Sequence, residues 1–306
     1  MAPRESAVLT TPDGTRITRW ERVPADASTA VLFVHGATYA GRGAFDADGY
    51  SWLAATADAG RAAYAVDFRG YGDSEAPPEL DDAPDAAEPV VRAPTAARDT
   101  ATALDDLLTD YEQVHLVGYS WGTIVAGYLL TEYGVAVDSL VQYAPIYDPP
   151  EALRERFAPG DPPAAYRTVT ENEARERWAA QRPDESVPDD AFVAFWNAVH
   201  DSGQRVGDTE IRAPNGTLVD LAAAVDERPY DAAAIEVPAL VVRGSLDTAS
   251  TRPDALALFD ALGTDDRTYT EVAGGSHFTQ LEAVRETLTA IVAGFHERVE
   301  AGDGHR

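Results

Sequence analysis

One serine in this sequence stands where it could act as a nucleophile. Ser120 lies at the centre of Gly118 to Gly122, which reads Gly-Tyr-Ser-Trp-Gly. An apolar run precedes this stretch and apolar residues at helical spacing follow it, so the sequence predicts a strand, a sharp turn and a helix. The N–H of Trp121 then lies at a helix N-terminus, where unpaired N–H groups and the helix dipole favour negative charge. These residues alone leave open an ordinary glycine-rich turn, but their chemistry favours an oxyanion formed beside Ser120.

An aspartate and a histidine occur at comparable positions later in the chain. Asp247 follows an apolar run that ends at Gly244, and His277 follows the last such run. A neutral imidazole can take the proton of a serine hydroxyl near neutral pH, and a buried carboxylate keeps the ring aligned. Nucleophile, acid and base therefore appear in the order Ser, Asp, His, each just past a predicted strand.

The elements that must position these residues follow a regular alternation. A hairpin around Pro12-Asp13-Gly14 opens the chain, and apolar strands separated by helical segments follow it. This pattern predicts an α/β fold with a mostly parallel, eight-stranded sheet and helices on both faces, in which ligands bind beyond the carboxyl ends of the strands. The alternation stops after residue 147 and resumes after residue 231. We therefore predict a core of residues 1–147 and 232–306, interrupted by a helical cap of residues 148–231.

The order of these motifs is similar to that of one known family. The His35-Gly36 turn, the segment from Asp67 to Ser74, the serine turn, and the loops carrying Asp247 and His277 resemble the α/β-hydrolase superfamily with an inserted helical cap. The resemblance covers nearly the whole chain. It implies a catalytic triad of Ser120, Asp247 and His277, with His35 orienting the neighbouring loop.

The resemblance also implies roles for the residues around the triad. The backbone N–H groups of Ala37 and Trp121 would form the oxyanion hole. Some members place the acid after an earlier strand, so Asp148 stays open as an alternative to Asp247.

The residues that form the substrate pocket are less well defined by the sequence. Thr38 follows the predicted oxyanion turn, and Phe192 and Trp196 lie on a predicted cap helix that ends near His200. We predict that these four residues line the pocket. For the aromatic residues, the alternative is that they form the core of the cap.

Composition limits the possible partners and the environment. There are 52 acidic and 24 basic residues, all of the latter arginine, for a formal net charge of -28. Such a surface repels nucleic acid and anionic membranes. Because self-repulsion of this size calls for screening by salt, we predict a halophile-type protein of a salt-rich cytoplasm, although biased codon usage is a compatible explanation. The start of the sequence has no signal-peptide pattern, no run is long enough to span a membrane, and there is no cysteine.

The sequence-based functional prediction is a cofactor-independent serine hydrolase that cleaves a carboxylic ester of a small or medium-sized molecule through an acyl-enzyme. No metal-binding spacing or phosphate-binding loop occurs in the chain, so neither a metal nor another cofactor is expected. The serine nucleophile disfavours chemistry that proceeds through an aspartyl ester. A prolyl-type aminopeptidase is the alternative enzyme, and a non-catalytic small-ligand receptor on the same fold is the alternative from another class.

Overall fold

The chain alternates strands and helices along most of its length. The computed structural model describes residues 2–182, 187–202 and 204–302, so both predicted domains extend to residues outside the described part. The described strands are β1 (Glu5–Thr10), β2 (Arg16–Arg22), β3 (Thr29–Val34), β4 (Ala62–Asp67), β5 (Gln113–Tyr119), β6 (Ser139–Tyr143), β7 (Tyr166–Thr170), β8 (Arg205–Val206), β9 (Glu210–Pro214), β10 (Ala239–Gly244) and β11 (Arg267–Val272). The described helices are α1 (Gly41–Phe45), α2 (Trp52–Asp58), α3 (Ala93–Leu104), α4 (Leu107–Asp110), α5 (Trp121–Glu132), α6 (Arg154–Phe157), α7 (Glu171–Ala179), α8 (Asp189–His200), α9 (Gly216–Ala223), α10 (Arg252–Ala261) and α11 (Arg285–Glu300).

The main sheet has eight strands in the order β1-β2-β4-β3-β5-β6-β10-β11. Strand β2 is antiparallel to β1 and to β4, and all other neighbours are parallel. The predicted eight-stranded, mostly parallel sheet is confirmed. Because β3, β5, β10 and β11 are parallel, the loops that follow them emerge at the same edge of the sheet.

The central strands are buried on both faces, which explains why they read as continuous apolar runs. Every residue of β3 and β4 is buried. One apolar cluster covers the face under α3, α5 and α10, and a second covers the face under α2 and α11. Helices on both faces thus hold the sheet rigid, and the loops at its carboxyl edge are built on that support.

The segment between β6 and β10, which we call the insert (residues 148–231), differs from the prediction. It contains helices, but also a three-stranded antiparallel sheet in the order β7-β9-β8. The prediction of a purely helical cap is therefore wrong for this part. In β7 the buried Tyr166 and Val169 are separated by polar residues, and β9 buries Ile211 and Ala213 in alternation. Only β9 alternates buried and partly exposed residues, and the two strands are short and pair across about 40 residues of chain, so their sequences give a weak strand signal.

Within the described residues, no helix combines the length and apolar composition needed to cross a lipid bilayer.

Candidate active site

Ser120 lies on a sharp turn between β5 and α5, as predicted. Its backbone has φ 56° and ψ -125°, in a region that non-glycine residues rarely occupy. The turn is possible because its neighbours lack side chains. A Cβ on Gly118 would lie 2.7 Å from the carbonyl oxygen of Gly122, and one on Gly36 would lie 3.0 Å from Cβ of Ser120. Such a strained backbone conformation costs on the order of 1–3 kcal/mol. It directs the Ser120 hydroxyl away from the sheet.

The three predicted chemical groups meet at this edge. Oγ of Ser120 lies 2.9 Å from Nε2 of His277, and Nδ1 of His277 lies 2.8 Å from Oδ2 of Asp247. All three residues are buried to nine-tenths or more. With Nδ1–H donating to the carboxylate, Nε2 is left as the acceptor for the serine hydroxyl. The geometry is that of a hydroxyl whose proton can pass to a neutral imidazole.

Each oxygen of the Asp247 carboxylate has its own hydrogen-bond partners. Its Oδ1 accepts the N–H groups of Ala249 (2.8 Å) and Ser250 (2.9 Å), which leaves Oδ2 for the histidine. Asp148, the alternative acid, instead receives the guanidinium of Arg228 at 3.0 Å and is partly exposed. The structure therefore places Asp247, and not Asp148, beside the imidazole.

The backbone of His277 is fixed from two sides. From the sheet, the Tyr119 hydroxyl donates to its carbonyl oxygen at 2.9 Å. From the insert, the side-chain oxygen of Gln181 accepts its N–H at 2.9 Å. Both contacts limit rotation of the loop, so the ring stays aligned with Ser120.

A buried glutamate also ties the histidine loop to the insert. Glu282 is only 1% exposed and accepts the N–H (2.9 Å) and hydroxyl (2.6 Å) of Ser276. It also accepts Nε1–H of Trp178 at 2.9 Å and pairs with the guanidinium of Arg182 at 2.9 Å. The histidine loop and the insert therefore both donate hydrogen bonds to this carboxylate, and Arg182 of the insert balances its charge.

The predicted oxyanion residues lie on either side of Ser120. Trp121 is the first residue of α5, so its N–H has no partner within the helix. Ala37 lies on the wall of the same cavity. Its carbonyl oxygen accepts hydrogen bonds from the side chains of Tyr71 (2.8 Å), Arg167 (3.0 Å) and Thr217 (3.2 Å), which hold the loop in place.

His35 supports this loop from below, in agreement with its predicted structural role. Its Nδ1 lies 2.8 Å from the carbonyl oxygen of Gly36, and Nε2 is 3.4 Å from the N–H of Phe68. Complete burial lowers its pKa to about 4. The ring is therefore neutral at physiological pH and contributes a hydrogen bond without adding charge to the site.

A cavity of about 240 Å³ opens in front of Ser120. Its walls come from the loop after β3, from the serine and histidine turns, and from the insert. The lining residues are Gly36, Ala37, Thr38, Tyr39, Tyr119, Ser120, Arg156, Phe157, Arg167, Arg177, Gln181, Leu218, Leu221, Ala249, His277 and Phe278.

The model of the "Alpha/beta hydrolase family" matches residues 31–290, a span that includes every residue of the proposed triad. The chain belongs to this family. No curated protein sequence matches the chain significantly.

Solved structures of the same fold have diverse activities. An esterase from Exiguobacterium antarcticum is similar, with a TM-score of 0.67 and 18% identity over 95% of this chain and 99% of its own. An epoxide hydrolase from Vigna radiata has a TM-score of 0.66 and 18% identity, covering 96% and 98% of the two chains. A bromoperoxidase from Bacillus anthracis has a TM-score of 0.65 and 18% identity, covering 96% and 100%. At this level of identity the likeness shows the fold, while the reaction has to be argued from the site.

Of the four residues predicted to line the pocket, Thr38 lies on the cavity wall, but Phe192, Trp196 and His200 do not. The last three belong to an aromatic stack on α8: Phe192 and Trp196 are parallel with centroids 6.4 Å apart, and His200 stacks on Trp196 at 6.3 Å. Phe192 also packs against Trp178 of α7. The pocket prediction is therefore wrong for these three. An amphipathic helix has to bury its apolar face, and here that face lies in an apolar cluster that the insert shares with Tyr39, Ala47 and Phe278 of the sheet domain.

The insert adds polar residues to the cavity that were not predicted from the sequence: Arg156, Arg167, Arg177 and Gln181. The sequence gives one indirect signal for them, which is that arginines are scarce relative to acids in this chain. That imbalance does not reveal which arginines lack an acidic partner in the fold.

Among the described residues, no group of three or more histidine, aspartate or glutamate side chains is arranged to hold a metal ion.

Proposed function

We propose that this chain is a serine hydrolase of carboxylic esters that works through an acyl-enzyme on Ser120. The observation that carries the proposal is the continuous path from Ser120 Oγ to His277 Nε2 (2.9 Å) and from His277 Nδ1 to Asp247 (2.8 Å). A cavity of about 240 Å³ in front of the hydroxyl gives room for a small or medium-sized substrate.

In the first half of the reaction, Oγ of Ser120 attacks the ester carbonyl while its proton passes to Nε2 of His277. Negative charge then develops on the carbonyl oxygen, and the N–H groups of Ala37 and Trp121 are its proposed donors. Collapse of this intermediate breaks the bond to the alcohol, which leaves with the proton that His277 holds. Asp247 stabilises the imidazolium throughout.

In the second half, water replaces the alcohol. His277 takes a proton from the water molecule as its oxygen attacks the acyl carbon. The same two N–H groups receive the oxyanion. The bond to Ser120 then breaks, the serine recovers its proton from His277, and the carboxylic acid is released. No redox partner or metal takes part in this sequence.

The composition of the cavity wall favours an ester over the N-terminus of a peptide. An aminopeptidase has to bind a protonated amine, which calls for carboxylates near the nucleophile. Among the described residues, the cavity is lined by three arginines and by no aspartate or glutamate. An ammonium group would be repelled there, because like charges in a partly desolvated site cost several kcal/mol.

The nucleophile also separates this proposal from epoxide opening. That reaction, on the same fold, proceeds through an ester of an aspartate, and residue 120 is a serine. A serine hydroxyl activated by an imidazole suits acyl transfer instead.

Covalent labelling tests the proposal directly. The protein is treated with a fluorophosphonate, the labelled peptide is identified by mass spectrometry, and hydrolysis of 4-nitrophenyl acetate and butyrate is measured alongside that of prolyl 4-nitroanilide. We expect one label on Ser120 and hydrolysis of the two esters. The Ser120→Ala variant should lose both, whereas Ser6→Ala, which alters an exposed serine on β1, should retain both.

Hydrolysis of the prolyl anilide in preference to the esters would support the aminopeptidase instead. An unlabelled, inactive protein that still binds a small ligand would indicate a receptor and would overturn the proposal.

A further inference from the structure

The insert brings three arginines to the cavity, and none of them forms an ion pair with a carboxylate in the part of the chain that the structure describes. Arg177 donates to the Thr38 hydroxyl at 3.2 Å, and Arg167 donates to the same hydroxyl at 2.9 Å. Arg156 donates to the hydroxyl of Thr248 at 3.0 Å. In the described part of the chain, all three guanidinium groups bind only neutral oxygens.

This arrangement runs against the composition of the protein. With 52 acids for 24 arginines, most guanidinium groups in the fold can find a carboxylate. Arg175, on the same helix as Arg177, pairs with Asp189 at 2.7 Å. The acid one turn before Arg177 is Glu173, and its carboxylate is occupied by the N–H and hydroxyl of Thr170 in a capping box. Partly buried positive charge without a counter-ion is unfavourable, so its persistence in a cavity indicates an anionic ligand.

Two neutral donors in the same cavity also lack an acceptor. The side-chain nitrogen of Gln181 has no hydrogen-bond partner among the described residues, although this residue is only 2% exposed. Its side-chain oxygen is already used by the N–H of His277. The hydroxyl of Tyr39, which is 7% exposed, likewise has no partner within the described part. Buried donors without acceptors are uncommon, so both call for oxygen atoms from a ligand.

These donors lie close to the reacting serine in space, because they line the same cavity. Thr38, which both guanidinium groups contact, comes two residues after Gly36, and Gly36 packs directly on the Ser120 side chain. An anion held here would therefore be a near neighbour of the ester carbonyl in a short molecule.

Building on the proposed ester hydrolysis, we propose that the substrate carries a free carboxylate, bound by Arg177, Gln181 and Tyr39, next to the ester that Ser120 attacks. Arg167 and Arg156 add positive potential, and Arg167 also holds the oxyanion loop. A half ester of a short dicarboxylic acid has this chemistry on its acyl side, and an acetyl ester of a short hydroxy acid has it on its alcohol side. Water cleaves the ester bond in either compound, giving an alcohol and a carboxylic acid. The second carboxylate stays on the acid product of the half ester and on the alcohol product of the acetyl ester.

Kinetics with matched esters test this inference. Hydrolysis of monomethyl glutarate, dimethyl glutarate and the acetyl ester of 3-hydroxypropanoate is followed in a pH-stat at low salt. We expect at least one of the two anionic esters to be preferred to the neutral one, and the preferred ester identifies the side that carries the charge. Replacement of Arg177 by Gln keeps a donor for Thr38 and removes the charge. It should lower kcat/KM for the preferred ester by about 10- to 100-fold, mainly through KM, because a charged hydrogen bond is lost.

Two further variants serve as controls. Arg177→Lys restores the charge and should recover part of the preference. Arg175→Gln removes one positive charge from the exposed side of the same helix, so its kinetics should match those of the unmodified protein. An equal loss for neutral and anionic esters in Arg177→Gln, or no preference in the unmodified protein, would contradict the inference while leaving ester hydrolysis intact.

A binding measurement separates this inference from the proposed function. Glutarate is added to Ser120→Ala, and the thermal unfolding midpoint is compared with that of the double variant Ser120→Ala, Arg177→Gln. Stabilisation that disappears in the double variant supports the anion site even if no ester is hydrolysed. Absence of any stabilisation by glutarate, together with no kinetic preference, overturns the site whatever reaction the protein catalyses.

Discussion

The two walls of the cavity have different origins and different chemistry. One wall consists of the loops after the parallel strands and carries Gly36, Ser120 and His277. The other comes from the insert and carries Arg156, Arg167 and Arg177. On the sheet wall the Asp247 carboxylate accepts hydrogen bonds from the His277 ring and from two backbone N–H groups. On the insert wall the three guanidinium groups form no ion pair with a carboxylate of the described residues. In the proposed function, the sheet wall therefore supplies the catalytic groups, whereas the insert wall supplies the groups that select the substrate.

The largest effect is expected on the sheet wall. Asp247→Asn removes the acceptor that sets the tautomer of His277 and should lower kcat for a neutral ester by about 10⁴-fold. Asp148→Asn changes the alternative acid. It should alter kcat less than about twofold, because the Asp148 carboxylate binds Arg228 at the surface. Steady-state kinetics on both variants check this, with circular dichroism to confirm folding. A larger loss of kcat in Asp148→Asn than in Asp247→Asn would identify Asp148 as the acid and would contradict the proposed distinction between the two walls.

The next effect concerns the neutral ring beneath the sheet wall. Burial lowers the pKa of His35 to about 4, whereas in the unfolded chain a histidine titrates near 6.5. Between these values the unfolded state binds more protons, so the stability that the neutral ring contributes is lost as the pH falls. The unfolding free energy of the unmodified protein should exceed that of His35→Phe most above about pH 7. This gap should shrink by up to about 3 kcal/mol on the way down to pH 4.

Chemical denaturation of both proteins at several pH values gives that gap. Titrations common to both proteins cancel in the difference. A gap that stays constant with pH would mean that His35 does not titrate in this way.

A smaller effect is expected where the two walls meet. The Tyr71 hydroxyl and the guanidinium of Arg167 both hold the carbonyl oxygen of Ala37. Tyr71→Phe should lower kcat by about 2- to 10-fold, the value of one hydrogen bond, with KM for a neutral ester little changed. Tyr111→Phe is the matched control, because its hydroxyl pairs with that of Tyr64 away from the cavity. A normal kcat in Tyr71→Phe would show that the insert holds the loop without help from the sheet side.

Salt should have the smallest effects, one on the stability of the protein and one on its substrate preference. Raising KCl from tens of millimolar to about 1 M shortens the screening length to about 3 Å. Screening of the net charge of -28 should raise the thermal unfolding midpoint by a few degrees. Each kcal/mol of added unfolding free energy corresponds to about 2 °C or more. The same salt should reduce the preference for an anionic ester and leave kcat for a neutral one unchanged. A midpoint that is insensitive to salt would contradict the halophile interpretation of the composition.

The sheet wall could be predicted from the sequence because each of its parts has a local signature. Ser120, Asp247 and His277 each follow an apolar strand within a few residues, and their types leave few chemical roles. Parallel strands bring such positions to one edge whatever the rest of the fold contains. The assignment of those side chains to catalysis remains a prediction.

The insert wall could not be predicted in the same way. Strand β7 carries Arg167 and pairs with β9, about 40 residues later, so the position of that arginine depends on a long-range contact. The apolar period around Phe192 and Trp196 shows that one helix face is buried, but it does not show against what. The pocket prediction is wrong there, because the helix packs on α1 and on Trp178 of α7 and its aromatic face does not line the cavity.

The buried carboxylate of Glu282 and the amide of Gln181 have a practical consequence for engineering. They join the histidine loop to the insert, so exchanging the insert for that of a relative would remove the contacts from the insert and leave His277 held only from the sheet. A chimaera that carries the insert of a relative therefore also needs that relative's equivalent of residues 276–282. In the proposed function, substrate range and turnover would therefore both depend on that short segment.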